Sequence, residues 1–487
     1  MILALDQGTT GSTAVALALD GAVAGRGYRE ITQHYPRPGW VEHDAEEIWT
    51  SVQAAAAEAL KAAGRSAAEV HAIGITNQRE TLVLWDRKTL RPLARAIVWQ
   101  DRRTAADCDR LREAGHEARV RELTGLVLDP YFTGTKLAWA LANVEGAAEA
   151  AAGTVDSWLV ARLSGGDHLT DASNASRTLL CDIGTGRWSE EMGGLLGLPL
   201  DVLPEIRPSC GEISRSRPDS FLGIEAPIAG IAGDQQAALF GQACLEPGTA
   251  KNTYGTGSFL LEQTGGERVA SERGMLTTIA WLRDGRLSYA LEGAIFVTGA
   301  ALQWLRDGLG VIKSAAEAGP LAESVESTGG VYLVPAFVGL GAPHWDPYAR
   351  GTIVGLTRGT GRAEVVRAAV EAMAFQSADV AEAMAADSGQ PLRELKVDGG
   401  AAVMDFLCQF QADLLGIPVR RPRITETTAL GAAFLAGLGS GAWAGDADLE
   451  RLWQLDREFE PRISRDQAAT LQAEWRRAVE RSLSWAK

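Results

Sequence analysis

Arg79 and Glu80 form a charged dipeptide shortly after the apolar segment 71–75, which is typical of a buried strand. Arginine offers a planar fork of donors and glutamate offers two acceptor oxygens, so together they suit the adjacent hydroxyl groups of a polyol. A local ion pair, or two solvated charges, is the simpler explanation of the dipeptide taken alone. The pair is therefore a candidate substrate site whose role depends on its surroundings.

Asp234 and Gln235 interrupt a strongly apolar part of the chain, between residues 228–232 and 237–240. A carboxylate in such a setting costs free energy unless it has partners or a chemical task. Helix capping is an alternative explanation, because aspartate is common at the start of a helix. The two roles are compatible, and Asp234 becomes the candidate general base of the chain.

Two turns rich in glycine and threonine could hold phosphate groups. One reads DQGTTG at residues 6–11 and the other reads YGTG at residues 254–257, and neither forms a P-loop. Glycine lets backbone N–H groups converge on an anion, and threonine hydroxyls add donors. Asp6, at the head of the first turn, could hold Mg²⁺ through water. Such turns are also ordinary hairpin tips, but one in each half of the chain favours phosphate binding.

Other residues could complete a nucleotide and substrate site. The sequence VDGG at 397–400 precedes a predicted helix, whose N-terminus could approach a nucleotide through glycine. Trp99, Tyr131 and Phe259 lie near predicted strand or loop ends and could pack against the carbons of a polyol. Core packing is the usual role of such aromatic residues.

Regular elements must position all of these groups. Residues 2–19 and 248–262 each predict a β-hairpin with a phosphate turn at its tip, which suggests an internal duplication. Periodicity and composition further predict helices at 45–63, 362–386 and 404–415 and strands at 71–75, 92–100 and 395–398. We place the boundary of two lobes between residues 242 and 243, giving lobes 1–242 and 243–487 with a cleft between them.

Composition excludes several classes of protein. The chain has 487 residues and a formal net charge of −15, which argues against a nucleic-acid partner. Its 5 cysteines and 6 histidines are scattered without metal-ligand spacing, so a zinc site and a disulfide framework are not expected. The sequence offers no apolar run long enough to span a membrane and no secretory leader, so we expect a cytoplasmic protein.

The chain resembles the FGGY carbohydrate kinases, and within them the members that phosphorylate glycerol. The resemblance runs from residue 2 to about residue 485 and rests on the stretches LALDQGTT (3–10), YPRPGWVEHDAEEIW (35–49), IGITNQRE (73–80), AIVWQDRRT (96–104), DPYFTGTK (129–136), GIAGDQQAALFGQ (230–242), KNTYGTG (251–257), YALEGAIF (289–296) and VDGG (397–400). It implies an α/β, two-lobed, actin-like or ribonuclease-H-like ATPase fold with the active site in the interdomain cleft.

The resemblance also implies an activity and a role for each candidate residue. The activity is ATP-dependent phosphorylation of glycerol to sn-glycerol 3-phosphate, with Mg²⁺, by a protein that is expected to be a homo-oligomer, a dimer or tetramer. By position, Asp234 is the general base, and Asp6 and Asp234 hold the metal. Glycerol is expected to bind to Arg79, Glu80, Trp99, Tyr131, Asp234, Gln235 and Phe259. The nucleotide is expected to bind to Thr9, Thr10, Gly11, Thr256, Gly299, Gln303 and Gly400.

The chain departs from the family pattern in three places. Family members usually continue the first turn with Ser-Ser-Arg, but here Thr13 replaces an arginine expected near the β- and γ-phosphates. Met404 replaces an asparagine that often contacts the nucleoside. A glycine-rich segment that binds fructose 1,6-bisphosphate in bacterial members is shortened to residues 221–225 and ends in Glu225 instead of arginine. We therefore expect no inhibition by that bisphosphate.

Two other functions stay open at this stage. The chain could phosphorylate another small polyol or sugar, because the phosphate turns alone do not select the acceptor. It could also be an actin-like ATPase without kinase activity, although Arg79-Glu80 and Asp234-Gln235 would have no use in a filament.

Overall fold

Two mixed β-sheets form the centres of the two halves of the chain. A computed structural model describes all residues from Met1 to Lys487. The strands are β1 Ile2–Gln7, β2 Gly11–Leu17, β3 Val23–Glu30, β4 Glu42–His43, β5 Ala72–Asn77, β6 Val83–Trp85, β7 Ala96–Ile97, β8 Ala151–Gly153, β9 Leu169–Asp171, β10 Cys181–Asp182, β11 Arg187–Trp188, β12 Glu205–Arg207, β13 Cys210–Arg215, β14 Pro227–Gly233, β15 Thr249–Tyr254, β16 Ser258–Gly265, β17 Leu276–Arg283, β18 Arg286–Ile295, β19 Tyr332–Val334, β20 Thr352–Val354, β21 Glu394–Asp398, β22 Val419–Pro422 and β23 Leu455–Phe459.

Helices cover the faces of both sheets. They are α1 Ala45–Ala63, α2 Ala105–Glu113, α3 Glu117–Thr124, α4 Thr133–Asn143, α5 Val155–Ser164, α6 Ala172–Ala175, α7 Glu190–Leu196, α8 Asp234–Gly241, α9 Gly299–Asp307, α10 Ala318–Glu323, α11 Arg362–Ser388, α12 Asp405–Leu415, α13 Thr427–Gly439, α14 Asp446–Leu452 and α15 Arg465–Ser482. None of them is long and apolar enough to cross a membrane. All 5 cysteines are free thiols.

The two sheets repeat one topology. The first has the order β13-β14-β5-β1-β2-β3, and the second has the order β17-β18-β16-β15-β21-β22-β23. In each sheet a hairpin pairs antiparallel, a third strand extends it antiparallel, and two later strands join the other side in parallel. This shared arrangement confirms the internal duplication and the two-lobed α/β fold that the sequence predicts.

Helix α1 coincides with its predicted span, because the sequence supplies both of its ends. The Asp44 carboxylate accepts hydrogen bonds from the amides of Glu46 and Glu47 at the N-terminus. Gly64 ends the helix in the left-handed conformation, with φ +62°. Its apolar side packs against β2 and β3 of the first sheet.

One predicted strand and the predicted position of Gly400 differ from the structure. The strand predicted over residues 92–100 is reduced to Ala96–Ile97, and Pro92 forms only an isolated bridge with Trp85. The helix predicted at 404–415 is confirmed at Asp405–Leu415, but a 3₁₀ turn at Gly400–Val403 separates it from VDGG. Gly400 therefore lies in a tight turn and not at the N-terminus of a long helix.

Helix α13 of the second half packs against β1, β5 and β14 of the first sheet. Two strand glycines make this close approach possible. A Cβ atom at Gly74 would lie 2.2 Å from the carbonyl oxygen of Ala432, and one at Gly230 would lie 2.3 Å from the amide nitrogen of Ala436. The boundary predicted at residues 242 and 243 stays a prediction, and α13 joins the two halves across it.

Candidate active site

Three parallel strands of the first sheet end side by side and bring the predicted charged residues together. In β1 and β5 the residue pairs run to Gln7 with Asn77, one residue beyond Asp6 with Thr76, and in β5 and β14 they run to Asn77 with Gly233. Asp6 therefore lies at the carboxyl end of β1, Arg79 follows β5, and Asp234 follows β14. Ligands of open α/β sheets bind beyond this edge.

Arg79 is the centre of the charged cluster. Its side chain is 2 % exposed, and its Nε lies 3.1 Å from Oδ1 of Asp234. Its terminal nitrogens donate to both carboxylate oxygens of Glu292, Nη1 at 2.5 Å and Nη2 at 3.0 Å. Because Glu292 belongs to β18 of the second sheet, this bidentate pair joins the two halves of the protein.

Glu80 occupies a strained backbone position beside Arg79. Its φ is +61°, and the amide of Thr81 donates across it to the carbonyl of Arg79 at 2.7 Å, which closes a γ-turn of the rare kind. Arg177 donates to Oε1 of Glu80 at 2.8 Å. No protein group donates to Oε2, so this oxygen can accept a hydrogen bond from a substrate.

Sequence reasoning missed two members of the cluster, Glu292 and Arg177. Both are completely buried, and Nη2 of Arg177 donates to Oε1 of Glu292 at 3.0 Å. Burial opposes ionisation of Glu292, but the two arginines outweigh it and hold its pKa at about 2. A signal for Glu292 was present in the sequence, since a single acid stands in the apolar run YALEGAI.

Asp234 begins helix α8 and is 30 % exposed to the cleft. Its Oδ1 accepts the amide of Gln235 at 2.7 Å. The N-cap of α8 is Gly233 and the helix has no side-chain cap, so Asp234 is not the capping residue of the alternative explanation. Burial raises the pKa of Asp234 above the usual value, and Arg79 opposes this shift. Lys251, a third residue that sequence reasoning missed, donates to the amide oxygen of Gln235. Burial lowers the pKa of Lys251 to about 8.

The predicted aromatic residues only partly form a wall. Trp99 and Tyr131 meet edge to face with ring centroids 5.5 Å apart, and the Tyr131 hydroxyl lies 3.4 Å from Nη2 of Arg79. The indole of Trp99 donates to Oγ1 of Thr9 at 2.9 Å, which joins this pair to the first phosphate turn. Phe259 lies on β16 of the other sheet, where its carbonyl accepts a hydrogen bond from Lys251 at 3.3 Å.

Each of the two phosphate turns is closed by one backbone hydrogen bond. The amide of Gly8 donates to the carbonyl of Gly11 at 2.9 Å, and the amide of Gly255 donates to that of Gly257 at 2.8 Å. The amides of the threonines at the tips, Thr9, Thr10 and Thr256, donate to no protein group. Both turns therefore present free N–H groups, which is the requirement for binding an anion.

Most of the predicted nucleotide residues surround the second turn. The amide of Gly299, at the start of α9, donates to the carbonyl of Gly255 at 3.0 Å. Gln303 is exposed one turn further along the same helix face. Gly400 follows Gly399, whose backbone lies close to Tyr254. A Cβ atom at Gly399 would be 2.4 Å from the carbonyl oxygen of Tyr254. Thr256, Gly299, Gln303 and Gly400 thus border one edge of the second sheet.

Asp6 and Asp234 form a carboxylate pair that fits a magnesium ion. Burial, and next the charge of Asp234, raise the pKa of Asp6 to about 7. The neighbouring Thr76 hydroxyl is completely buried and has no hydrogen-bond partner. No group of three or more His, Cys, Asp or Glu side chains could hold a metal ion. Mg²⁺ keeps several waters and binds through one or two carboxylates.

A cavity of about 420 Å³ lies elsewhere, among α2, α4 and α7. Its walls include Leu111, Trp139 and Leu196, and none of the predicted site residues lines it. It is not part of the cleft.

Known proteins match the whole chain. The models of the N-terminal and C-terminal domains of the FGGY family of carbohydrate kinases match residues 1–241 and 250–440. Curated relatives include the glycerol kinase of Dechloromonas aromatica, 59 % identical over 100 % of this chain and 98 % of its own, and that of Deinococcus radiodurans, 56 % identical over 99 % and 98 %.

Among solved structures, the glycerol kinase of Plasmodium falciparum with ADP superposes with a TM-score of 0.93 and 35 % identity, covering 99 % of this chain and 98 % of that one. The sequence resemblance, the repeated sheet topology and these matches agree, and the chain belongs to the FGGY family of carbohydrate kinases.

Proposed function

We propose that this protein transfers the γ-phosphoryl group of ATP to a terminal hydroxyl of glycerol and releases sn-glycerol 3-phosphate and ADP. The observation that carries the proposal is the cluster of Arg79, Glu80 and Asp234 at the strand ends, beside a turn with free backbone amides. Polar groups for a small polyol thus lie next to donors for a phosphate chain. Relatives that carry the name glycerol kinase and match nearly the full chain add independent support.

Each site residue has a task in this reaction. Three side chains bind the glycerol hydroxyls: Glu80 through its free Oε2, Gln235 through its amide nitrogen, and Arg79. Glu292 holds Arg79 in place for this task. Trp99 and Tyr131 cover the carbon chain on one side, and Phe259 approaches from the other lobe. Such fixed positions remove much of the entropic barrier of a reaction between two bound molecules.

Asp234 acts as the general base. As the glycerol oxygen bonds to the γ-phosphorus, the bond from that phosphorus to the β-phosphate bridging oxygen breaks, and ADP leaves with the electron pair. The hydroxyl proton passes to the Asp234 carboxylate. The raised pKa of Asp234 suits this task, because a base accepts a proton best when its pKa lies closer to the working pH.

The phosphate turns and the carboxylate pair deal with the negative charge of the nucleotide phosphates, the turns by binding it directly and the carboxylates through the metal ion. The free amides of Thr9, Thr10 and Thr256 face the polyphosphate, and Gly299, Gln303 and Gly400 border the rest of the nucleotide. Gly11 closes the first turn. Asp6 and Asp234 would hold Mg²⁺, which when bound would offset the negative charge that develops on the phosphates. The Arg79–Glu292 pair keeps the cleft closed around glycerol and excludes water as a competing acceptor.

A coupled assay tests the proposal. ATP consumption is measured with and without glycerol, and then with a panel of other small polyols and sugars. We expect turnover that depends on glycerol. Equal turnover with another polyol would favour the broader kinase alternative, and ATP turnover that ignores glycerol would favour an actin-like ATPase.

Two properties of the whole protein accompany the proposal. We propose a cytoplasmic location and a homo-oligomeric state, a dimer or tetramer, by analogy with the family. Analytical ultracentrifugation at several protein concentrations measures the oligomeric state directly.

A further inference from the structure

Lys251 is a buried cation that reaches from the second sheet to the first half of the protein. It lies on β15, and its strand partner Leu261 packs into the apolar cluster that contains Leu239 and Phe240 of α8. Residues paired across neighbouring strands place their side chains on the same face, so Lys251 also faces α8. In the first turn of that helix its ammonium group meets the side chain of Gln235.

An ammonium group has three donors, and each donor of Lys251 has a protein acceptor. One donates to the amide oxygen of Gln235. The others donate to the hydroxyl of Thr253 at 3.0 Å and to the carbonyl of Phe259 at 3.3 Å. Because no donor of Lys251 remains free, this residue does not bind a substrate itself. Any effect that it has on a ligand passes through the groups that it holds.

The contact with Lys251 decides which end of the Gln235 amide is free. A side-chain amide has a donor end and an acceptor end, which are similar in shape and can exchange places by rotation. An ammonium group only donates, so the oxygen must face Lys251 and the nitrogen must face away from it. The nitrogen donates to no protein acceptor, and Gln235 is partly exposed beside Asp234. Gln235 thus offers a ligand a hydrogen-bond donor next to the carboxylate of Asp234.

We propose that Lys251 is a positioning residue for the substrate, which holds the amide of Gln235 so that its nitrogen donates to a hydroxyl oxygen of the polyol. An amide that is fixed before binding does not have to be ordered when the polyol arrives, which favours affinity. Because Lys251 belongs to the second sheet and Gln235 to α8, the donor is fixed only where the two halves of the protein meet. This inference rests on the proposed function.

The chain offers a matched control in Lys396. This residue is the strand partner of Lys251 on β21 and is also buried. Its ammonium group donates to the carbonyls of Gln242 at 2.8 Å and Ala243 at 3.2 Å, just beyond the other end of α8. Lys396→Met and Lys251→Met thus remove the same group from the same face of the sheet, but only Lys251→Met frees the amide of Gln235.

The test measures glycerol binding by calorimetry on the full protein, with MgADP affinity as the check that each variant is folded. Lys251→Met is expected to weaken glycerol binding about three- to tenfold, in the range of one lost hydrogen bond, and Lys396→Met less than about twofold. Gln235→Ala is expected to weaken glycerol binding by a factor similar to that of Lys251→Met. The double variant is expected to bind glycerol no more weakly than Gln235→Ala alone, because Lys251 acts through Gln235.

Two outcomes of this test would overturn the inference. Factors that multiply in the double variant would show that Lys251 and Gln235 contribute independently. Equal weakening in Lys396→Met and Lys251→Met would show that any buried lysine of this sheet has the same effect. If Lys251→Met does not fold, Lys251→Gln takes its place with the same expected weakening, because an amide can face Gln235 with its oxygen or its nitrogen and no longer fixes the orientation.

A measurement without glycerol separates this inference from the proposed function. The side-chain amide signal of Gln235, identified by its loss in Gln235→Ala, is followed by NMR in glutamine-labelled protein. We expect this signal to shift in Lys251→Met and to keep its position in Lys396→Met. An unchanged signal in Lys251→Met would overturn the inference. If the signal shifts as expected but the parent protein phosphorylates no glycerol, the proposed function alone is refuted.

Discussion

Asp234 is the residue on which the proposed chemistry depends most directly. Asp234→Asn keeps the size of the side chain and the start of α8 but cannot accept the proton. We expect kcat to fall by ~10²–10⁴, with glycerol binding weakened but measurable by calorimetry. Activity within a few-fold of the parent protein would remove Asp234 from the role of general base.

Asp6 should lower the stability of the metal-free protein. Its pKa is raised to about 7 in the folded state, so the folded protein holds a proton that the unfolded chain releases near its ordinary pKa. The linked loss of stability is therefore absent at low pH, develops between about pH 4 and 7, and is complete above that range.

Asp6→Asn is expected to raise the free energy of unfolding by roughly 1–3 kcal/mol at pH 8 without Mg²⁺, and by nothing at pH 4. It should also abolish activity. Urea unfolding at the two pH values measures the difference. A gain that is the same at both pH values would show that ionisation of Asp6 is not its cause.

At the scale of elements, the segment between β13 and β14 contains residues 221–225, the shortened counterpart of the site that binds fructose 1,6-bisphosphate in bacterial members of the family. Its amides at residues 220, 221, 223 and 224 all donate within the segment, and the Ser216 hydroxyl accepts the amide of Ala226. Phe221 is buried against Trp49. Three of the five amides of residues 221–225, those of 221, 223 and 224, are thus already used, and Glu225 adds an exposed negative charge.

Fructose 1,6-bisphosphate is therefore expected not to inhibit this enzyme through that segment. The bisphosphate is titrated into the coupled assay at several protein concentrations, with inorganic phosphate at matched ionic strength as the control. Saturable inhibition that disappears when residues 221–225 are changed would contradict the prediction.

Local signals explain which elements could be predicted from the sequence. Helix α1 and both hairpins carry their own caps, turns and periodicity, so their positions follow from short stretches of chain. The ion pairs of the site do not follow from short stretches of chain. Arg79 and Glu292 are 213 residues apart in the sequence, and Arg177 and Glu292 are 115 residues apart. Their proximity depends on how the two sheets pack, and the family resemblance alone did not identify Arg177, Lys251 or Glu292.

At the scale of the whole molecule, Glu292 couples the two halves. Glu292→Gln leaves Arg79 and Arg177 buried without a full counter-charge. We expect the free energy of unfolding to fall by ~3–5 kcal/mol and the KM for glycerol to rise more than the KM for ATP, because Arg79 loses its fixed position. Urea unfolding and steady-state kinetics measure the two effects.

Glu262 on the adjacent strand is the matched control for this change. It is also buried, but burial raises its pKa to about 7, so at pH 6 it is largely neutral and glutamine resembles it closely. Glu262→Gln is expected to alter stability by less than about 1 kcal/mol at that pH. Similar losses in both variants would show that burial of a carboxyl group, and not the link between the lobes, is what matters.

The acidic side chains of the site also favour release of the product of the proposed reaction over its rebinding. In the proposed reaction glycerol enters without charge and meets Glu80 and Asp234 as acceptors for its hydroxyls. Its phosphate ester carries close to two negative charges at neutral pH and lies beside the same acids, in a molecule whose net charge is −15. The transfer therefore converts a neutral ligand into an anion that the protein repels. The charge gained in the reaction favours release of the product from the cleft.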